Sequence, residues 1–284
     1  MATRFRFPGD GAADPGLRAA YETDGFLVLE GFADAATCRA LRERIDALIE
    51  GFDPASVRSV FSAADQAHAR DAYFRDSGDK VRCFFESEAF DAAGRLVKPK
   101  GVAINKIGHA LHVLDPVFAP FSQDPRLARL AGDLGLAVPQ AVQSMAILKP
   151  PFIGGEVGLH QDATYLHTEP VSVTGFWVAL EDAGPDNGCL HAIPGGHRAS
   201  LKSRFHYEGD RLVTSVLEAA PFDDAAAVPL PAPAGTLVVL HGLVPHRSSA
   251  NRSPRSRYAY ALHVVDAATR WSPDNWLKWQ NEVA

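Results

Sequence analysis

The segments GTLVVLHG, residues 235–242, and SRYAYALHVVD, residues 256–266, carry the pattern that decides the fold. Both are short runs of β-branched, aromatic and other apolar residues, which is typical of strands bounded by turns. Three similar runs precede them: AVQSMAILK (141–149), VSVTGFWVALED (171–182) and GCLHAIP (188–194). Short strands at this spacing, with little helix between them, indicate an antiparallel barrel or jelly roll rather than alternating strands and helices.

The residues before this β-rich part favour helices. A helix is predicted over residues 34–51, with an Asp as its N-cap, because Leu41, Ile45 and Leu48 recur on one face. Asp124 followed by proline predicts the start of a second helix, with its leucines facing inward. The chain therefore combines a helical layer with a mainly β part.

We predict a single domain whose parts differ in structure. They are a loose arm (1–14), a mainly helical layer with lid loops (15–139), a jelly-roll core (140–270) and a C-terminal tail (271–284). The long loops 63–100 and 198–232 are expected to select the substrate, since loops of this length in a compact domain are usually lids or binding loops. The Pro/Ala-rich stretch 219–234 is expected to be a connector, because repeated proline removes donors from a β-ladder.

Composition excludes several classes of protein. The chain is 46% hydrophobic and 22% charged, an average balance that excludes disordered and fibrous proteins. Its net charge of −6 disfavours a nucleic-acid partner. No apolar run approaches the length of a membrane span and no signal segment is visible at the N-terminus, so we expect a cytoplasmic protein without a membrane partner. Three widely spaced cysteines predict neither a disulfide framework nor a zinc–thiolate site.

The most specific local feature is the triplet His160-Gln161-Asp162. On an extended backbone residues i and i+2 point the same way, so the imidazole and the carboxylate can meet one metal ion. Two histidines and one carboxylate on one face form the facial triad of non-haem Fe(II) oxygenases. The triplet alone is a weak signal in a chain with 11 histidines, and a polar turn before a strand is an equal alternative.

The second histidine is predicted from the far end of the chain. His246 follows the 235–242 strand, and Arg257 opens the next strand eleven residues later. If the two strands form a hairpin, these side chains face each other across the length of a small dicarboxylate, which a guanidinium grips at two points. Ser248 lies two residues after the histidine and can add a hydrogen bond. His167 is a weaker choice of third ligand, because no arginine follows it at this spacing.

The pattern H-x-S-x-x-N-x-S-x-x-x-R over residues 246–257 resembles the phytanoyl-CoA dioxygenase family of Fe(II)/2-oxoglutarate oxygenases, and one branch of that family most closely. The similarity covers roughly residues 15–280 and includes SGDKVRCFFE (77–86), INKIGHALH (104–112) and GGEVGLHQDATYLHTEP (154–170). The resemblance implies a double-stranded β-helix, a cupin-like jelly roll flanked by N-terminal α-helices. It also implies hydroxylation of a small molecule with O2 and 2-oxoglutarate, release of succinate and CO2, and reactivation of iron by ascorbate.

Carried over position by position, the resemblance implies His160, Asp162 and His246 as the iron ligands. It implies Arg257, with Ser248, as the clamp on a 2-oxoglutarate carboxylate. The other positions it implies as lining the co-substrate pocket are Lys106, Met145, Gln161 and Trp177. Related halogenating enzymes have Gly or Ala in place of the ligand Asp, so the carboxylate in this chain implies oxidation rather than halogenation.

Two other functions stay open on the sequence. A cupin-like isomerase or hydrolase would use the same three ligands with Zn or Mn and would need no Arg257. A 2-oxoglutarate-binding module without turnover would keep the site but release no succinate. Within either enzyme reading, Arg247, Arg252 and Arg255 beside Arg257 support the hypothesis of an anionic substrate.

The remaining candidates have simpler interpretations. His109 and His112 are expected to be structural or to form part of the pocket wall, whereas His191 and His197 flank a turn at the expected cavity rim and are candidates for substrate contact. The tryptophans of segment 271–279 are expected to pack in the core or at an interface.

Overall fold

The computed structural model describes residues 2–9, 15–55, 57, 60 and 72–279. Its largest element is an eight-stranded sheet, antiparallel except at one edge, where β1 runs parallel to β2. In spatial order the strands of this major sheet are β1 (Arg4–Arg6), β2 (Phe26–Glu30), β13 (Leu237–His241), β8 (Thr174–Ala179), β15 (Arg257–Asp266), β5 (Pro139–Lys149), β4 (Ile104–His109) and β3 (Val81–Phe85).

A second, four-stranded sheet faces the first. This minor sheet consists of β12 (Val228–Leu230), β9 (Leu190–Ala192), β14 (His246–Ser248) and β6 (Val157–His160), all antiparallel. Two further pairs are β10 (Ser203–Glu208) with β11 (Arg211–Val216), and β7 (Thr168–Glu169) with β16 (Arg270–Trp271). The predicted double-stranded β-helix is confirmed.

The side chains of β15 alternate between two faces, so one face of this strand packs toward the minor sheet and the other toward the helices. Ala259 and Ala261 pack toward the minor sheet, whereas Tyr260 and Leu262 pack among the residues that contact the helices. Successive side chains of a strand point to opposite faces. Arg257, two residues before the first of these alanines, therefore points into the space between the sheets.

Seven α-helices lie within the described residues. They are α1 (Pro15–Asp24), α2 (Ala35–Gly51), α3 (Ala72–Arg75), α4 (Lys100–Ala103), α5 (Leu111–Leu114), α6 (Phe118–Ser122) and α7 (Pro125–Asp133). The predicted helix over 34–51 is present, and the Asp34 carboxylate caps it by accepting a hydrogen bond from the Thr37 amide at 2.7 Å. Leu41 and Ile45 are fully buried against the major sheet, while Leu48 is only partly buried. None of these helices is long and apolar enough to cross a bilayer.

Several segments expected to lack strands contain them. The predicted arm 1–14 contains β1, the predicted loop 63–100 contains β3, and the predicted loop 198–232 contains β10, β11 and β12. The stretch 219–234 is therefore not only a connector, because Pro229 lies within β12. This strand is at the edge of the minor sheet, where one side of the strand needs no ladder donor and proline is tolerated. The parts of the predicted arm and loop at 10–14 and 63–71 lie outside the described residues.

Candidate active site

The minor sheet brings the HQD triplet and the distant histidine together. His160 is the last residue of β6, and Asp162 begins a short 3-10 helix directly after it. His246 is the first residue of β14, which pairs with β6 so that the two histidines are opposite each other. The position of all three side chains is thus set by one pair of strands and the turn that follows it.

The ligand atoms of these three residues are close enough to share an ion. The Asp162 Oδ1 atom lies 3.7 Å from Nε2 of His160 and 3.6 Å from Nε2 of His246. Imidazole nitrogens and carboxylate oxygens bind divalent transition-metal ions at about 2.0–2.2 Å, so two ligand atoms of one ion lie at most about 4.4 Å apart. Among the described residues, this is the group of three that meets the spacing expected for a metal site. Its two nitrogens and one oxygen fit Fe(II).

Backbone carbonyls orient both imidazoles. His160 Nδ1 lies 2.9 Å from the Gly158 carbonyl oxygen, and His246 Nδ1 lies 3.1 Å from that of Val244. A carbonyl only accepts hydrogen bonds, so the proton is on Nδ1 of each ring. The lone pair of each Nε2 is then free to bind the metal.

Burial and mutual proximity set the charge of the group. Burial, together with neighbouring His246, lowers the pKa of His160 to about 4, which keeps this imidazole neutral and able to bind metal near pH 7. Burial alone would raise the pKa of Asp162, but His246 and His263 outweigh this effect and hold its pKa well below the usual range. The Asp162 carboxylate therefore presents a negative charge to a cation.

Arg257 lies in the same cavity, which has a volume of about 540 Å³. Its side chain is 1% exposed, and its Nη1 donates a 3.3 Å hydrogen bond to the Ile147 carbonyl. Its Nε has no hydrogen-bond partner among the described residues. The guanidinium carbon lies 5.5 Å from the centre of the Trp177 ring. Burial lowers the pKa of Arg257 to about 10, so it remains charged at neutral pH and offers donors to an anion.

The predicted hairpin between His246 and Arg257 is wrong. The histidine is on β14 in the minor sheet, whereas the arginine opens β15 in the major sheet and pairs with Lys149 of β5. Both side chains line the same cavity because the two sheets face each other across it.

The other predicted co-substrate residues also line this cavity: Lys106, Met145, Gln161, Trp177 and Ser248. Burial lowers the pKa of Lys106 to about 7. Gln161 differs from the others because its amide bonds to backbone: it donates to Leu243 and Ser200 and accepts from Lys202. This side chain therefore ties the HQD turn to the loop before β10.

Several residues that line the cavity were not identified from the sequence, among them His263, Glu86 and Tyr165. His263 lies on β15, and its Nε2 is 3.5 Å from Oδ2 of Asp162. Glu86 is buried, and its Oε1 accepts hydrogen bonds from Asn105 Nδ2 at 2.9 Å and from the Gly155 amide at 3.0 Å. Tyr165 follows the 3-10 helix after the triplet and lines the cavity. Spacing gives a signal for His263 alone, because it is six residues after Arg257 and so lies on the same strand face.

The remaining histidines have separate environments. His109 is fully buried, lies 2.8 Å from the Ser77 hydroxyl and contributes to the cavity wall. His112 is buried with its Nδ1 2.9 Å from the Ser144 hydroxyl. His191 and His197, the candidates for substrate contact, are not among the described residues that line the cavity.

The expected core packing of the C-terminal tryptophans is confirmed: Trp276 is buried in a hydrophobic cluster and stacks on Phe74, with ring centres 4.8 Å apart. The same side chain also lines the cavity. The clustered arginines are paired with acidic residues, in the pairs Arg247–Asp224 (2.7 Å), Arg252–Glu88 (2.8 Å) and Arg255–Asp186 (2.6 Å). These pairs offset the positive charge on which the hypothesis of an anionic substrate was based.

Comparisons with known proteins agree with the geometry. The family model described as Phytanoyl-CoA dioxygenase (PhyH) matches residues 21–259. Phytanoyl-CoA dioxygenase domain-containing protein 1 of Bos taurus is 47% identical over 268 residues, which cover 91% of this chain and 92% of the relative. Phytanoyl-CoA dioxygenase of Arabidopsis thaliana is 43% identical, with 94% of each chain covered.

A solved structure shows the same fold. EctD from S. alaskensis, crystallised with 2-oxoglutarate and 5-hydroxyectoine, superposes with a TM-score of 0.66 at 22% identity. The match covers 100% of this chain and 89% of that protein. At this level of identity the likeness concerns the fold.

Proposed function

Because this chain belongs to the phytanoyl-CoA dioxygenase family, we propose that it is a non-haem iron enzyme that oxidises a small molecule with O2 and 2-oxoglutarate. The reaction is a hydroxylation that releases succinate and CO2. Iron is held by His160, Asp162 and His246, and the co-substrate is held by Arg257 with Ser248.

The observation that carries this proposal is that a buried, incompletely paired guanidinium lies in the same cavity as three side chains that can bind one metal ion. Burying a charge without a partner costs several kcal/mol, so such a group is expected where a ligand brings the opposite charge. Arg257 meets this description, and it shares one cavity with His160, Asp162 and His246. A cupin-like enzyme without 2-oxoglutarate would have no use for this arginine.

The chain's own residues bind and orient the reactants. The Arg257 guanidinium pairs with the far carboxylate of 2-oxoglutarate at two points, and the buried Ser248 hydroxyl donates to the same carboxylate. Trp177 and Met145, both buried, exclude water from the co-substrate. Bound iron supplies the activation of oxygen. The Asp162 carboxylate occupies the position that a halide would need, which favours hydroxylation over halogenation.

The size of the cavity supports a small-molecule substrate. Ligand cavities of about 300–1,000 Å³ enclose molecules of drug size, and the volume of about 540 Å³ holds 2-oxoglutarate and a modest second molecule. The aromatic wall formed by Phe74 and Trp276 is available to an apolar part of that molecule.

Oxygen uptake and succinate formation test the proposal together. The purified chain is supplied with Fe(II), 2-oxoglutarate and ascorbate, and a mixture of small metabolites is added to stimulate turnover. We expect succinate to form in step with oxygen uptake, and to disappear with His246→Ala or with an iron chelator. Tight 2-oxoglutarate binding without oxygen uptake would instead indicate a binding module, and succinate formation that survives His246→Ala would contradict the proposed ligands.

A further inference from the structure

We propose that His263 is a positioning residue, which holds the Asp162 carboxylate in the orientation that the metal site requires. The inference rests on the proposed function, because it concerns the same site. His263 is not part of the sequence motif at 246–257 and is not one of the three proposed metal ligands.

The two oxygens of Asp162 face different partners. Oδ1 lies 3.6 Å and 3.7 Å from the Nε2 atoms of His246 and His160, on the metal side. Oδ2 lies 3.5 Å from Nε2 of His263, which is 7% exposed. His263 itself is outside the group of atoms close enough to share one ion. The carboxylate thus has one oxygen for the metal and one for His263.

The neighbouring strand leaves space for this arrangement. Gly175 of β8 is opposite His263 in the register of the major sheet. A Cβ atom at this glycine would lie 2.8 Å from Oδ2 of Asp162 and 3.7 Å from Cδ2 of His263. The carboxylate oxygen therefore occupies a slot between β8 and the imidazole, and any side chain at position 175 would close the slot.

Hydrogen bonding gives His263 its effect. Within the described part of the chain, Oδ2 of Asp162 is buried and has no hydrogen-bond partner at the present separation, and a buried acceptor that is left unsatisfied is unfavourable. Nδ1 of His263 is likewise buried without a partner, so the proton belongs on Nε2, which faces the carboxylate. A shift of a few tenths of an ångström converts this contact into a hydrogen bond. Oδ2 is then held away from the metal, and the position that 2-oxoglutarate needs stays open.

The test measures metal binding and requires no substrate. Co²⁺ is titrated into the apo-protein by calorimetry for wild type, His263→Leu, His263→Gln and Gly175→Ala. Partners that orient metal ligands typically change affinity by about 10–100-fold, and we expect a loss in this range for His263→Leu. His263→Gln restores most of the affinity, because its amide N–H can replace Nε2–H. Gly175→Ala weakens binding without changing either polar partner.

His112→Leu is the matched control, because His112 is also a buried histidine, 8% exposed, but does not line the cavity. Its Co²⁺ affinity is expected to equal that of wild type. The visible absorption of bound Co²⁺ provides a second measurement, which changes in His263→Leu if Oδ2 joins the metal. Thermal unfolding checks that each variant is folded.

Three results would overturn the inference: unchanged Co²⁺ affinity in His263→Leu, no recovery in His263→Gln, or an equal loss in the His112→Leu control. Failure of the proposed function gives a different result, since wild type itself would then bind no Co²⁺ or would form no succinate. If wild type binds Co²⁺ and His263→Leu binds it equally well, only the positioning role of His263 is rejected, and the proposed function stands.

Discussion

Replacing Arg257 by methionine is expected to weaken 2-oxoglutarate binding strongly and to stabilise the protein that lacks co-substrate. Both effects have one origin: the buried guanidinium has no anionic partner among the described residues of the free protein, and the carboxylate of 2-oxoglutarate provides one. Methionine keeps the length of the side-chain stem and fills irregular space in an apolar environment. A purely structural arginine would behave in the opposite way, since its removal would only destabilise the fold.

The size of the stabilisation follows from burial. The pKa of Arg257 falls from the usual 12.5 to about 10, and at 1.36 kcal/mol per pH unit this corresponds to a penalty of about 3 kcal/mol on the charged form. The hydrogen bond to Ile147, at 3.3 Å, returns about 1 kcal/mol. We therefore expect Arg257→Met to raise the free energy of unfolding by about 1–3 kcal/mol.

The sign of the pH effect also follows. The folded-state pKa of Arg257 lies below its usual value, so the penalty is fully present below pH 10. It is relieved as the pH rises from 10 toward 12.5, where the unfolded chain holds more protons than the folded protein. Between pH 6 and 9 the stabilisation by Arg257→Met is thus expected to be constant.

Co-substrate binding changes in the opposite direction. Losing one partner of a buried charge pair costs about 3–5 kcal/mol, which weakens 2-oxoglutarate binding by roughly 10²–10⁴-fold. At a concentration of 100 Kd, 2-oxoglutarate raises the stability of wild type by about 2.7 kcal/mol, and it leaves the variant nearly unchanged.

Urea unfolding at neutral pH, with Mn²⁺ and with or without 2-oxoglutarate, measures both effects. Arg257→Lys is the control that keeps the charge but loses the two-point grip. It should retain the burial penalty and still bind 2-oxoglutarate poorly. A less stable Arg257→Met variant, or one that 2-oxoglutarate stabilises as much as wild type, would refute the reasoning.

Three further predictions concern neighbouring residues. Ser248→Ala removes one buried donor to the 2-oxoglutarate carboxylate that Arg257 binds. In initial-rate assays it should raise the KM for 2-oxoglutarate by about tenfold with little change in kcat, and an unchanged KM would exclude this contact. Asp162→Ala removes the single acidic ligand, and should lower Co²⁺ affinity in calorimetry by more than His263→Leu does; a smaller loss would place the carboxylate outside the metal site. Burial lowers the pKa of Lys149 to about 7, so the free energy of unfolding rises from pH 7 toward the usual lysine pKa. Lys149→Met should flatten this rise by about 1.4 kcal/mol per pH unit in urea unfolding at pH 7, 8 and 9, whereas an unchanged slope would show that the amine stays protonated.

Signals within short stretches of sequence predicted much of the fold. The helix after Asp34 and the strands at 235–242 and 256–266 follow from a cap and from apolar patterns that involve neighbouring residues. The spacing of Arg257 after His246 pointed to this histidine, and the family resemblance, now confirmed, implied that it converges with His160.

Pairing between distant segments was the part that could not be predicted. The distance of eleven residues between His246 and Arg257 suits a hairpin, and only the packing of two sheets puts these residues on opposite walls. For the same reason the contact between His263 and Asp162 was missed, because it depends on the space left by Gly175 on a third strand. Pro229 in β12 shows that a residue's strand preference depends on whether its strand lies at a sheet edge.

Visible absorption under anaerobic conditions tests the central claim most directly. Fe(II) and 2-oxoglutarate bound together at one site produce a metal-to-ligand charge-transfer band that neither produces alone. We predict that this band appears in wild type, saturates at one equivalent of each, and is lost in His246→Ala. In Arg257→Met it should require far higher 2-oxoglutarate. A protein that binds both molecules without the band, or a band that persists in His246→Ala, would contradict the shared site.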